Sequence, residues 1–201
     1  MEEKELSLRQ LSRKQVREVY RERMKEDFPR TELKPLMMIE RSIQKGIYEC
    51  LGMFEGDKIT AYVYFVRTNR IYLVDYLAVY PEYRERGYGT RMLEKLQEYL
   101  RDADLVLGEV EIPSYAETEA EKSVRARRLD FYLRAGMIDT GIRMRCFNVP
   151  FEILRFPIGR DCTREEIIQA YQAVYRRLLP ARMFEHNVLL LPDSSAGERI
   201  R

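Results

Sequence analysis

The sequence predicts a mixed α/β fold, a central mixed β-sheet of about seven strands flanked by helices, with an extra helix after the last strand. Three observations predict it. Strand-like runs at 47–54, 59–67 and 70–80 are joined by turns of a few residues, which makes them antiparallel neighbours. A strand at 70–80, a helix at 88–101 and a strand at 105–111 then follow one another, the spacing of a parallel crossover. The chain of 201 residues, 45% of them apolar, is long enough to bury one sizeable core.

Residues 5–9 read as a short first strand. Ser12-x-x-Gln15 is a capping box, with Leu11 and Val16 placed as its hydrophobic staple. Val16, Val19, Tyr20 and Met24 share one helical face, and Phe28-Pro29-Arg30 breaks that helix. Pro35 suits the first turn of a second helix, which carries Leu36, Ile39 and Ile43 and stops near Gly46. Glu55-Gly56-Asp57-Lys58 and Thr68-Asn69 are the turns between the next strands; the run at 70–80 is expected to be central.

Met92, Leu93, Leu96 and Leu100 define the helix at 88–101. After the strand at 105–111 come a polar loop at 113–121 and a helix at 122–135. Strands at 138–149 and 151–156 are expected to be separated by Pro150. Thr163-x-x-Glu166 is a second capping box. It opens a helix running to 179 on the stripe Ile167, Ala170, Tyr171, Val174 and Leu178, ended by Pro180. The expected organisation is one domain over 1–160, a helical extension at 161–192 packed on it, and a disordered tail at 193–201.

Composition excludes several classes. Lys plus Arg number 35 and Asp plus Glu 33, a formal charge of +2, which is no footprint for nucleic acid. Cys50, Cys146 and Cys162 are scattered and His186 is the single histidine, so no Cys/His metal site and no Ser-His-Asp triad is expected. The charged start Met1-Glu-Glu-Lys-Glu is unlike a secretory signal, and the apolar runs are too short to span a bilayer. A cytoplasmic protein without a membrane partner is the expectation.

The chemistry concentrates in residues 76–93, where an apolar strand runs through Pro81 into Arg84-x-x-Gly87-x-Gly89 and a helix. Helix-start amides, a positive dipole end and cationic side chains there meet at one point, which suits a phosphate or diphosphate. Glycine lets the backbone wrap an anion closely, and Arg84 and Arg86 add charge. A dinucleotide fingerprint would need a third glycine where Met92 stands, and the spacing of a P-loop is absent. A second segment, Phe131-Tyr132-x-x-x-Gly136-Met137, reads as a helix closed by Gly136 in the C′ position.

The first pattern resembles the acyl-CoA-binding signature of the GNAT N-acetyltransferase superfamily, Arg/Gln-x-x-Gly-x-Gly/Ala. The second is similar to that family's Phe/Leu-Tyr-x-x-x-Gly-Phe, and both stand in the family's order with a strand between them. The order of elements agrees over about 5–156; Arg125 and Arg128 depart from the Asn and Ala many members carry. The resemblance implies transfer of an acetyl (acyl) group from acetyl-CoA to a primary amine by direct attack, with no covalent intermediate. It implies a central strand splayed from its parallel neighbour, with the pantetheine arm paired to the backbone of Leu77 and Val79. Arg84, Arg86, Gly87, Tyr88, Gly89 and Thr90 would surround the diphosphate, and Tyr132 would protonate the departing sulfur.

That chemistry also needs a group that takes a proton from the amine and one that steadies the thioester oxygen. Glu109 and Glu111 are the candidate bases. They lie two apart on one strand and share a face, so their repulsion would raise one pKa; the alternative is a solvated strand end. A glutamate at the place of Glu109 is frequent in the family, and a water chain is a further acceptor for the proton. Arg125, Arg127 and Arg128 are read as a solvated basic helix face, with a contact to the ribose phosphate of CoA as the alternative. Glu26, Asp27 and Glu32 lie where the first two helices would border the acceptor entrance, so a cationic small-molecule or peptide amine fits them as well as solvent does. Two other function classes stay open: a non-catalytic acyl-CoA-binding module, and an interaction protein whose helix at 164–179 docks a partner or a second copy as a homodimer.

Overall fold

The computed structural model describes residues 5–30 and 32–192; the expected tail at 193–201 lies outside them. The strands are β1 (Leu6–Gln10), β2 (Tyr48–Glu55), β3 (Lys58–Thr68), β4 (Ile71–Val79), β5 (Leu105–Glu111), β6 (Ile138–Cys146), β7 (Val149–Arg155) and β8 (Val188–Leu190). They form an eight-stranded mixed sheet in the order β1-β2-β3-β4-β5-β7-β6-β8. The chain divides into two compact units, Met1–Arg67 with Val74–Arg101, and Thr68–Leu73 with Asp102–Arg201.

In the first unit β1, β2 and β3 pair antiparallel, with Leu8 opposite Met53 and Leu51 opposite Val63. The central residues of β3, from Ala61 to Val66, are all buried, which is why that run is apolar without alternation. The first helix, Arg13–Val19, opens at the expected box: Ser12 Oγ accepts from the Gln15 amide and the Gln15 side chain accepts from the Ser12 amide. It continues through a π segment, Tyr20–Met24, and a last turn, Lys25–Asp27, before Phe28 turns extended ahead of Pro29. Helix Leu36–Gln44 follows Pro35 and buries Ile39 and Ser42. Between the two helices Lys34 forms an ion pair with Asp75 of β4 at 2.6 Å, and the Tyr48 hydroxyl donates to the same carboxylate. Helix Tyr88–Tyr99 buries Tyr88, Met92, Leu93 and Leu96, the spacing of one helical face.

In the second unit β5, β7, β6 and β8 are successive antiparallel neighbours. Helix Glu119–Arg134 starts three residues before its expected place, because Thr118 accepts from the Glu121 amide and Glu119 and Glu121 suit the first turn. The expected break at Pro150 is corrected: Pro150 lies inside β7, opposite Arg145, and the hairpin turns at Phe147 and Asn148. Both have positive φ, 47° and 70°, the geometry that matches the twist of flanking strands.

The chain after β7 begins with a tight passage. Gly159 has φ +78° and lies so near the turn before β5 that a Cβ would collide with the Asp104 carbonyl oxygen. Arg160 pairs with Glu166 at 2.6 Å, and Thr163 and Glu166 form the expected capping box of helix Arg164–Leu178. Pro180 then caps a further short helix, Ala181–Asn187, which sequence reading did not foresee. The strand β8 after it was also unforeseen; it pairs with β6 and raises the count to eight.

Candidate active site

In the first unit, β4 ends at Val79 and the chain passes through a 3₁₀ turn, Pro81–Tyr83, into helix Tyr88–Tyr99. The Tyr83 amide donates to the Tyr80 carbonyl at 2.9 Å and the Arg84 amide to the Pro81 carbonyl at 3.2 Å. Glu85 and Gly87 are both left-handed, φ 58° and 79°, around Arg86. Glycine adopts that conformation freely, whereas Glu85 holds it at a cost of roughly 1–2 kcal/mol. Gly87 is the N-cap residue and no side chain caps the helix; its i+4 bond is closed by the Arg91 amide on the Gly87 carbonyl at 3.1 Å. The amides of Tyr88, Gly89 and Thr90 therefore precede the helical ladder, at the positive end of its dipole.

The side chains around this turn are fixed. Tyr88 is buried, its ring 4.9 Å from that of Tyr83, and its hydroxyl donates to Glu55 at 2.7 Å. Arg86 lies over both rings, 5.8 and 5.6 Å from their centroids, and donates to the Glu82 carbonyl at 3.2 Å. Arg84 donates through Nε to the Val79 carbonyl at 2.9 Å and through Nη2 to Asp27 at 2.6 Å. Asp27 also accepts from the Tyr62 hydroxyl at 2.8 Å, so this acid is held by an internal cation and a phenol where sequence reading left it for an amine or solvent. Leu77 and Val79 are half-buried on β4.

In the second unit Tyr132 is half-buried near the end of helix Glu119–Arg134, edge-on to Phe131 at 5.2 Å. The helix closes as expected. Gly136 has φ +89°, its amide donates to the Leu133 carbonyl at 3.0 Å, and the Met137 amide donates to the Tyr132 carbonyl at 3.1 Å. Burial raises the Tyr132 phenol above its ordinary pKa, and the Arg128 charge partly offsets this. The hydroxyl is therefore protonated at neutral pH and available to donate.

Glu109 and Glu111 stand opposite Ile153 and Phe151 in unbroken register, so they share a face of β5. Neither carboxylate faces only the other. Glu111 is held by Arg125 at 2.8 Å and Arg128 at 2.9 Å, one cation on each oxygen. Its side chain is 10% exposed and that of Arg125 17%, which corrects the solvated-face reading for Arg125; Arg127 and Arg128 are exposed, as expected. Glu109 accepts from Tyr175 at 2.8 and 3.0 Å and from Tyr171, both on helix Arg164–Leu178. Burial, and next the Glu109 charge, push the Tyr171 phenol well above its ordinary range, so it stays a donor.

Sequence reading missed Tyr171 and Tyr175 as carboxylate partners. Their spacing of four places both on one helical face, but it reads equally as an apolar stripe. Among the described residues no group of three His, Cys, Asp or Glu side chains is placed to hold a metal ion. No described helix is long and apolar enough to cross a membrane.

The family model of the acetyltransferase (GNAT) family matches residues 13–136. No protein of curated function matches the sequence. Among solved structures, a Bacteroides thetaiotaomicron protein described as a GNAT-family acetyltransferase superposes with a TM-score of 0.66 at 22% identity, covering 86% of this chain and 95% of its own. The ribosomal-protein-S18-alanine N-acetyltransferase of Escherichia coli gives 0.55 at 17%, over 80% and 98%. A Bacillus subtilis acetyltransferase in complex with CoA gives 0.50 at 12%, over 75% and 96%. At such identities the structural likeness speaks for the fold. The family model covers more than half of the 201 residues and contains Arg84, Gly87, Gly89 and Tyr132, and the chain belongs to the acetyltransferase (GNAT) family.

Proposed function

We propose that the protein transfers an acetyl group from acetyl-CoA to the primary amine of a small-molecule or peptide acceptor, by direct attack and without a covalent enzyme intermediate. The observation that carries this reading is the turn at 81–90. It sets the left-handed Glu85 and Gly87 before a helix whose first amides have no side-chain cap, the chemistry a diphosphate fits. The thioester supplies an activated acyl carbon. The amides of residues 87–90 and the Arg86 guanidinium bind the diphosphate, and the backbone of Leu77 and Val79 aligns the pantetheine arm. The Val79 carbonyl already accepts from Arg84, so its second lone pair serves the arm.

Tyr132 donates its hydroxyl proton to the departing sulfur, a role that its half-buried place supports; burial keeps the phenol protonated, and the proton leaves only as negative charge develops on the sulfur. Glu109 is the preferred proton acceptor for the amine, directly or through water. Glu111 has both carboxylate oxygens engaged by arginines, which leaves it the less available of the two acceptors. Holding both reactants together supplies much of the acceleration.

The test is calorimetry with CoA and acetyl-CoA, followed by CoA release from acetyl-CoA with amino acids, polyamines and peptide N-termini as acceptors. The expected outcome is saturable binding and amine-dependent release, with the acetyl group found on the amine and none on the protein. Binding without release across the panel would assign the chain as a non-catalytic acyl-CoA-binding module.

A further inference from the structure

The end of the first helix meets the diphosphate turn through a charge-matched pair of contacts. Arg23 and Asp27, four residues apart, lie on one helical face. Glu82 and Arg84, two residues apart, stand on the turn. Arg23 reaches Glu82 at 3.5 Å and lies over the Tyr80 ring at 4.5 Å. Asp27, 7% exposed, takes Arg84 at 2.6 Å. The Tyr62 hydroxyl holds the other oxygen of Asp27, so the acid has a fixed orientation before Arg84 arrives. Arg84 in turn ties the last residue of β4 to the turn, through the Val79 carbonyl.

We propose that Asp27 is a positioning residue for the cofactor turn and that Arg84 acts through its fork geometry rather than as a cation on the phosphate. The proposal rests on the assignment of the diphosphate to this turn. A guanidinium can hold a carbonyl and a carboxylate at once because its donors are rigidly splayed; an ammonium cannot. With Asp27 beside it, the Arg84 charge is locally neutralised, and of the two turn arginines Arg86 is the one without a carboxylate partner among the described residues. What the Asp27–Arg84–Val79 chain of contacts supplies is the backbone path of residues 84–87, including the strained Glu85. The turn is thereby shaped before the anion arrives, which lowers the ordering cost of binding.

Two readings of Arg84 give opposite signs in one experiment. Calorimetric CoA affinity is measured on the full chain for Asp27→Asn, Arg84→Gln, Arg84→Lys and the Asp27→Asn/Arg84→Gln pair. Asp27→Asn leaves an acceptor for Tyr62, and Arg84 is half-exposed, so these variants keep the fold; circular dichroism checks this. Each single variant is expected to weaken CoA by about tenfold, the scale of one hydrogen bond to a charged group. Arg84→Lys is expected to behave like Arg84→Gln, and the pair no worse than the weaker single. The KM for acetyl-CoA should rise with kcat held.

If Arg84 instead touches the phosphate, Asp27→Asn frees it and tightens binding, and Arg84→Lys keeps most of the affinity. Either result overturns the proposal. Gly89→Glu separates the two levels: if it binds CoA like the parent, the cofactor assignment falls and this proposal falls with it. If it alone abolishes binding while the Asp27 and Arg84 variants bind normally, the assignment stands and the positioning role is lost.

Discussion

The turn before helix Tyr88–Tyr99 leaves the helix's first amides without a side-chain cap, whereas the end of β5 has its polar groups closed by partners of the same chain. Ser12, Thr118 and Thr163 each place a hydroxyl on the first turn of a helix; Gly87 brings none. At Glu111 two guanidinium groups each take one carboxylate oxygen, and at Glu109 Tyr171 donates to one oxygen while Tyr175 reaches both. A helix start without a side-chain cap leaves its amides to solvent or to the anion proposed above. A carboxylate with internal donors is organised by the fold, and any chemistry it performs must work through those donors.

The largest effect that would break this contrast is at Gly89. Gly89→Glu places a carboxylate in the first helical turn, where an acid suits the dipole but competes with a diphosphate. CoA affinity is expected to fall by at least about a hundredfold while the thermal midpoint is kept. Retained affinity by calorimetry would remove the ligand from the turn.

Next comes Glu111→Gln, which leaves the poorly exposed Arg125 and the half-exposed Arg128 without their counter-charge. A loss of about 3 kcal/mol in urea unfolding is expected. An unchanged midpoint would mean that the site is solvated after all. Tyr132→Phe is expected to slow turnover by about a hundredfold or less, with CoA affinity unchanged. Because its phenol is raised by burial, the alkaline limb of the parent's kcat should lie above the ordinary tyrosine value and vanish in the variant.

The smallest effect concerns the second capping box. The Arg160 side chain, and next the Thr163 amide, hold Glu166 down to about 2. A carboxylate depressed in the folded state stabilises above its unfolded value, near 4.3, and that contribution is lost as pH falls toward 2. The parent should therefore lose a small increment of stability between about pH 5 and about pH 2.5 that Glu166→Gln does not lose. Equal slopes for the two would show the box to be energetically silent.

Much of this was legible in local sequence. Ser12 with Gln15, Thr163 with Glu166, and Gly136 after Tyr132 work through bonds between residues three to five apart, so spacing alone reveals them. Arg84-x-x-Gly87-x-Gly89 was legible for the same reason, since a backbone shape is encoded by the residues that adopt it. Pro150 misled because proline marks turns on average, yet it is tolerated in a strand where its missing donor is not required. Glu111 with Arg125 and Arg128, Glu109 with Tyr171 and Tyr175, and Asp27 with Arg84 join residues 14 to 66 positions apart in the chain. Such pairings depend on which elements the fold brings together, and no local period announces them. The strand β8 was missed because three residues are too few to show alternation.

The close approach of Gly159 to the Asp104 carbonyl has a consequence for recombination. The segment after β7 is not free to be exchanged alone, because its bend at Gly159 is moulded to the 103–104 corner. A chimaera that imports this segment must import that corner too, and a saturation library at position 159 should return glycine alone among well-expressed clones.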